Sequence, residues 1–201
     1  IRGNSVAVIT DGSNVVGQGG LGALAALPSA EATCVFLREM ATIDGFPLPL
    51  DVISATEITP VVSKLVSVFA GVHLTDMAAP GCFDVHSALS ELIDIPILHD
   101  KQEGTSAALL AGLINGLGLV GKNLANARVV IAGVDPSGVA TARLLVAAGV
   151  GQIVACDARG SLHAGKQFSR PELQWVAEHT NPQRQEGDAA SLVAGADAVI
   201  A

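Results

Sequence analysis

The sequence predicts an α/β chain made of two successive units, each built on a mostly parallel sheet. Three observations carry this. Short β-rich runs alternate with stretches of helical periodicity along the chain. Asp76 and Asp100 fall just beyond the ends of two such runs, where open α/β sheets place their ligands. A glycine-bearing strand, turn and helix at residues 128–148 then opens a second series of strands.

Taken in order, residues 5–10 form a β-rich run closed by Asp11-Gly12. Gly17-Gln18-Gly19-Gly20-Leu21-Gly22 follows and is expected to lead into a helix from about Ala23. It matches G-x-G-x-x-G, but no acidic residue closes a following strand at the distance a ribose contact needs, so a structural turn is favoured over a phosphate site. Residues 34–37 read as strand-like. Residues 47–53 read as a strand whose prolines sit at its start, where they cost least. Residues 57–67 place Ile58, Val61, Val62, Leu65 and Val66 on one helical face. Residues 70–74 and 95–98 are strands, with a helix at 83–92 between them.

Residues 104–121 carry no charge and approach the length of a membrane span. Glycines and an asparagine interrupt the run, so a buried helix of a soluble protein is expected. In the second unit, residues 128–132 are a strand, 133–138 a tight turn and 139–148 a helix. Residues 152–156 are the next strand, ending at Asp157. Residues 198–200 begin another, and a sheet of this kind needs more strands, so the second domain is expected to be incomplete.

Composition narrows the partners. Half of the 201 residues are hydrophobic, enough for real cores, and the net charge of −8 disfavours nucleic acid and anionic membrane surfaces. Cys34, Cys82 and Cys156 are widely spaced, which fits reduced thiols in a cytoplasmic protein rather than a disulfide framework or a zinc site. The five histidines show no H-x-x-x-H pairing, and Met40 and Met77 read as core packing.

Gly133-Val134-Asp135-Pro136-Ser137-Gly138 keeps the first and third glycines of a dinucleotide-binding turn. Asp135 takes the place of the second, where it adds a negative charge facing a pyrophosphate. Asp157 lies about twenty residues after Gly138, the spacing at which an acid accepts from the ribose hydroxyls of NAD. Gly133, Asp135, Ser137, Gly138 and Asp157 are therefore the candidate NAD-binding residues. A scaffold that has lost its dinucleotide remains the alternative.

Leu74-Thr75-Asp76-Met77-Ala78-Ala79-Pro80, Ile97-Leu98-His99-Asp100-Lys101-Gln102-Glu103-Gly104-Thr105-Ser106-Ala107 and the turn at 129–138 occur in a telling order. Through them the chain resembles the malic enzyme family in its short bacterial, NAD-dependent form. The resemblance runs over essentially the whole chain. It implies a substrate-type domain at 1–103, without the family's N-terminal stretch, and a C-terminally incomplete Rossmann-like NAD-binding domain at 104–201.

It also exposes departures at the chemical positions. Family members hold a divalent cation with a Glu-Asp pair after one strand and the second Asp of a His-Asp-Asp-Gln-His-Gly-Thr stretch after the next. Here the Glu becomes Thr75, Asp76 is kept, and the second Asp becomes Lys101. Asp100 matches the neighbouring Asp, and the histidine becomes Glu103. An ammonium at Lys101 repels a metal ion, so divalent metal is not expected. The family's catalytic lysine aligns with Thr33, and its tyrosine lies upstream of Ile1; the sequence contains no tyrosine.

The resemblance therefore implies a divergent homologue, with lost or metal-independent chemistry on a small carboxylic acid. Lys101, Asp76, Asp100 and Glu103 are the candidate catalytic residues. Lys101 either stands in for the metal as a fixed charge or forms a salt bridge in a dead site. An active NAD- and metal-dependent malic enzyme and a non-catalytic interaction subunit are the alternatives. A homodimer is expected.

Overall fold

The computed structural model describes residues 2–52 and 54–201. Two compact units divide the chain, Ile1–Asp100 and Lys101–Ala201.

In the first unit, β1 (Ser5–Thr10) lies between β2 (Asp44–Pro49) and β3 (Gly71–Leu74), and β4 (Ile97–His99) lies outside β3. All three pairings are parallel. A central parallel strand is covered on both faces, which is why Ser5-Val6-Ala7-Val8-Ile9-Thr10 reads as an almost continuous apolar run. Pro47 and Pro49 are tolerated because β2 is an edge strand. This strand begins at Asp44, earlier than the sequence suggests, and residue 53 lies outside the described residues.

Helices α1 (Leu27–Ala41), α2 (Ala55–Leu65) and α3 (Gly81–Leu92) complete the unit. Ile58 and Val62 of α2 and Val85 and Leu89 of α3 close over Ile9 and Leu74 of the sheet. The strand expected at 34–37 is part of α1. Its apolar residues point outward, with Val35, Phe36 and Met40 exposed, so a strand-like composition reports no strand. Met77 is buried as expected, whereas Met40, 82% exposed, is not a core residue. Gly45 lets β2 approach α1, since a Cβ there would press on Cys34.

The glycine-rich stretch 17–22 does not open a helix; α1 starts at Leu27. It folds back instead, with Leu21 and Gly22 amides donating to the Gly12 carbonyl. Gly12 has φ +65°, and a Cβ there would overlap the Gly22 carbonyl.

In the second unit, β5 (Arg128–Ala132) is flanked by β6 (Gln152–Asp157) and β8 (Ala198–Ile200), both parallel to it. The short β7 (Gly160–Ser161) runs antiparallel beyond β6. Helix α4 (Thr105–Leu119) packs on α5 (Pro136–Ala147). The expectation of a buried helix at 104–121 is corrected here. Only Ser106, Leu113 and Leu117 are buried in α4, and Leu119 is 90% exposed. Among the described residues, no helix is long and apolar enough to cross a membrane.

Two further helices, α6 (Pro171–His179) and α7 (Ala189–Leu192), complete this unit. Arg143 of α5 lies over the Trp175 ring of α6, 5.4 Å from its centroid, a cation–π contact that ties the two helices. Arg128, at the start of the interior strand β5, ties it to the chain that leads into β8. Its guanidinium donates to the Leu192 and Ala194 carbonyls and to Gln185 Oε1, and its amide donates to Asp197 Oδ2 at 2.8 Å.

Candidate functional site

Polar residues gather at the C-terminal ends of both sheets. In the first unit, Thr75 and Asp76 follow β3 and Asp100 follows β4. The Thr75 amide donates to the Ile9 carbonyl, and its hydroxyl donates to Asp100 Oδ2 at 2.6 Å. The other Asp100 oxygen lies 3.3 Å from Nδ1 of the fully buried His99. Asp76 is buried and adopts a left-handed conformation, φ 55°, which short polar side chains tolerate best after glycine. Its carbonyl accepts from the Asn14 amide and its Oδ1 from the Val16 amide, so it organises the loop after β1. Its Oδ2 is buried without a hydrogen-bond partner among the described residues.

His73, on β3, also feels this cluster. Burial pushes its imidazole below the ordinary 6.5, and the nearby Asp100 charge opposes that shift. The sequence analysis assigns no histidine to this site. The strand alternation that turns His73 to one face of the sheet is the signal that could have found it.

Lys101 and Glu103 lie in a π-helical turn, Asp100–Gly104, that runs into α4. Such a turn holds an extra residue per turn and re-aims its side chains. Both side chains are partly exposed, Gln102 is buried, and Ser106 Oγ donates to the Glu103 carbonyl. Lys101 and Glu103 belong to the second unit and Asp76 and Asp100 to the first. Thr33, on α1, donates to the Ser29 carbonyl at 3.1 Å, an ordinary helical back-bond.

The residues do not fit the divalent cation that the resemblance implies. Thr75 offers a hydroxyl already committed to Asp100, and Asp100 faces Thr75 on one oxygen and His99 on the other. Asp76 Oδ2 alone does not make a set of oxygen ligands. Among the described residues, no group of three or more histidines, cysteines or carboxylates is placed to hold a metal.

In the second unit, the turn at 133–138 joins β5 to α5. Gly133 has φ +126°, and a Cβ on Gly138 would overlap the Gly133 carbonyl. Asp135, at φ −69°, ψ −177°, needs no glycine and is the N-cap of α5. Its Oδ1 accepts from the Gly138 amide at 2.9 Å and from the Ser137 hydroxyl at 2.8 Å. A cavity of about 380 Å³ opens here, lined by Gly133, Asp135, Ser137, Gly138, Thr141 and Leu109 among others. Thr141 is fully buried, and its hydroxyl has no hydrogen-bond partner among the described residues.

Asp157 ends β6. Its carboxylate already accepts from the Arg159 amide, Nε and Nη2 at 2.7, 3.2 and 3.1 Å. Nearby, His163 and Lys166 both donate to Glu186, and these bonds, that from Lys166 foremost, hold its carboxyl below the ordinary range. All three cysteines are free thiols. Sequence reasoning did not find Arg159, although a basic residue two places after a strand-ending acid is a local signal for such a pair.

No family model matches the chain. Curated relatives do. It is 40% identical over 200 residues to the NAD-dependent malic enzyme of Geobacillus stearothermophilus, covering all of this chain and 42% of that protein. It is 38% identical over 201 residues to the bifunctional malic/malolactic enzyme of Bacillus subtilis, of which it covers 49%. Among solved structures, the NAD-dependent malic enzyme of Thermotoga maritima superposes with a TM-score of 0.90 at 35% identity. The malic enzyme of Pyrococcus horikoshii gives 0.93 at 33%. Both superpositions cover 99% of this chain, and 55% and 48% of the two structures. The chain thus spans about half the length of the relatives it matches.

Proposed function

We infer that the chain belongs to the malic-enzyme superfamily and that its first site acts on a small carboxylic acid without a divalent cation. The observation that carries this is the Thr75–Asp100 hydrogen bond. It joins the ends of β3 and β4 where the family's Glu and Asp would converge on a metal, and it leaves those ends closed without one. Lys101 is the proposed functional centre, and Asp76, Asp100 and Glu103 are the other residues proposed to take part. A fixed ammonium can hold a carboxylate or polarise a carbonyl oxygen, a task that the cation performs elsewhere. Thr33 stands at the position of the family's catalytic lysine, so that base is not supplied there.

The second unit carries the family's dinucleotide-binding scaffold, and NAD is its proposed cofactor, bound weakly because of Asp135. NAD, when bound, supplies hydride acceptance. Gly133, Ser137, Gly138 and Asp157 are the residues that would meet it. A working NAD-dependent, metal-dependent malic enzyme is the second reading. What favours it is Asp76, retained at a ligand position with one oxygen unpartnered among the described residues.

Isothermal titration with Mn²⁺ separates the two. No micromolar binding is expected for the wild type. Thr75→Glu combined with Lys101→Asp should recover measurable affinity. Micromolar binding by the wild type that Asp76→Ala abolishes would sink the metal-free reading.

A second test addresses Lys101 with L-malate as the probe. Lys101→Met should weaken malate binding by about 10- to 100-fold, the worth of a charge-assisted hydrogen bond, and leave the melting temperature almost unchanged. A mutant that binds malate as the wild type does, or that melts much lower, assigns Lys101 to a structural salt bridge instead.

A further inference from the structure

The N-terminus of α5 is where a dinucleotide-type fold receives a diphosphate, through free amides and a favourable helix dipole. Here several of these contributions are already taken. Pro136 stands at the first helical position and has no N–H to offer. The Gly138 amide and the Ser137 hydroxyl are already bonded to the Asp135 carboxylate. The Val139 amide is used within the helix, donating to the Asp135 carbonyl. The chain's own carboxylate therefore sits where the anion would, and its charge faces the same space.

The cavity beside it is nevertheless built. It has a volume of about 380 Å³, and it is lined by Thr141, whose buried hydroxyl has no hydrogen-bond partner among the described residues. Gly138 still permits the tight strand-to-helix turn that shapes the cavity wall.

We propose that this cleft takes a phosphate-free ligand, a neutral or cationic nucleoside being the class that fits, and that Asp135 is the residue that rejects phosphorylated ones. The proposal rests on reading residues 101–201 as a nucleotide-type fold, and it goes beyond weak NAD binding by inverting the usual order of preference. In an ordinary site of this fold, adding a diphosphate to a nucleoside strengthens binding and salt weakens it. Here the diphosphate meets a carboxylate, and salt, by screening that repulsion, strengthens binding.

Adenosine and ADP differ only in the phosphates and are the probes. Titrated against the whole chain, adenosine should bind at least as tightly as ADP, and ADP binding should tighten as salt rises. Asp135→Asn keeps an equally good cap while removing the charge, so the melting temperature should hold. ADP should then gain about tenfold over wild type, and adenosine should be unaffected. Asp135→Ala, which loses the cap as well, should lower the melting temperature, which separates the capping role from the selective one. ADP binding tenfold tighter than adenosine in the wild type, and weakening with salt, overturns the proposal and leaves the NAD reading standing. If neither probe binds wild type or Asp135→Asn, the proposal and the nucleotide reading both fall.

Discussion

Gly138→Ala is expected to unfold much of the second unit. The added Cβ would overlap a backbone carbonyl, that of Gly133, and not the movable end of a side chain. Relief requires shifting either the end of β5 or the start of α5. Gly133 is already held in a left-handed conformation, with its amide bonded to the Cys156 carbonyl at 2.9 Å. The cost should reach about 3 kcal/mol, the upper end for overpacking. For a unit of this size that is a fall of roughly 12–24 °C in melting temperature. Hydrogen exchange measured peptide by peptide is the check. Amides of β5, β6 and α5 should lose protection while those of β1 and β3 keep theirs. Wild-type protection in β5 would show that the turn can relax, and would remove the argument that Gly138 is required by packing.

The second large effect lies in the first unit. Leu74→Ala deletes a fully buried side chain from the last position of β3, in the cluster that Ile9, Ile58, Val62 and Leu89 share. Truncations of this type cost about 2–5 kcal/mol, because the neighbours close the void only in part. Leu74 also immediately precedes Thr75, so a shift of the strand end would loosen the hydrogen bond to Asp100. Denaturant unfolding should show a lower midpoint with an unchanged slope. A loss below about 1 kcal/mol would mean that the site can collapse, and that this cluster is not the tightly packed core the burial implies.

How much of this was legible in the sequence follows from which forces were local. The central strands β1 and β5 announce themselves, because a strand covered on both faces must be apolar along its length. The turn at 133–138 was legible because its glycines answer to backbone sterics. Helix α1 was misread at 34–37 because Cys-Val-Phe-Leu carries β-type composition. The exposed face on which Val35 and Phe36 lie obeys no burial pattern that could correct it. The 104–121 run is read from its hydropathy and its interruptions, and neither tells a buried helix from an exposed one.

At the candidate site, the residue types were legible and the partners were not. Asp135 was read as a charge opposing an anion, although Asp before Pro with Gly three residues on is also an N-cap signal. The Thr75–Asp100 bond depends on two strand ends that are adjacent in space and distant in sequence. Arg128 looked like the unremarkable first residue of a strand. Its guanidinium contacts lie more than fifty residues downstream, beyond the reach of any local pattern.

Those long-range contacts bear on when the second cleft exists at all. The bond from the Arg128 amide to Asp197 closes a loop of 69 residues, far longer than the one closed when β6 joins β5. Loop-closure entropy grows only with the logarithm of length, so the extra cost is on the order of 1 kcal/mol. That cost falls on the docking of β8, which the Arg128 and Asp197 bond helps to hold. Ile200 and Ala201 form part of the cavity wall. Fraying of β8 would open the cleft without unfolding the other pairings, so occupancy of the cleft is thermodynamically tied to the docking of that strand.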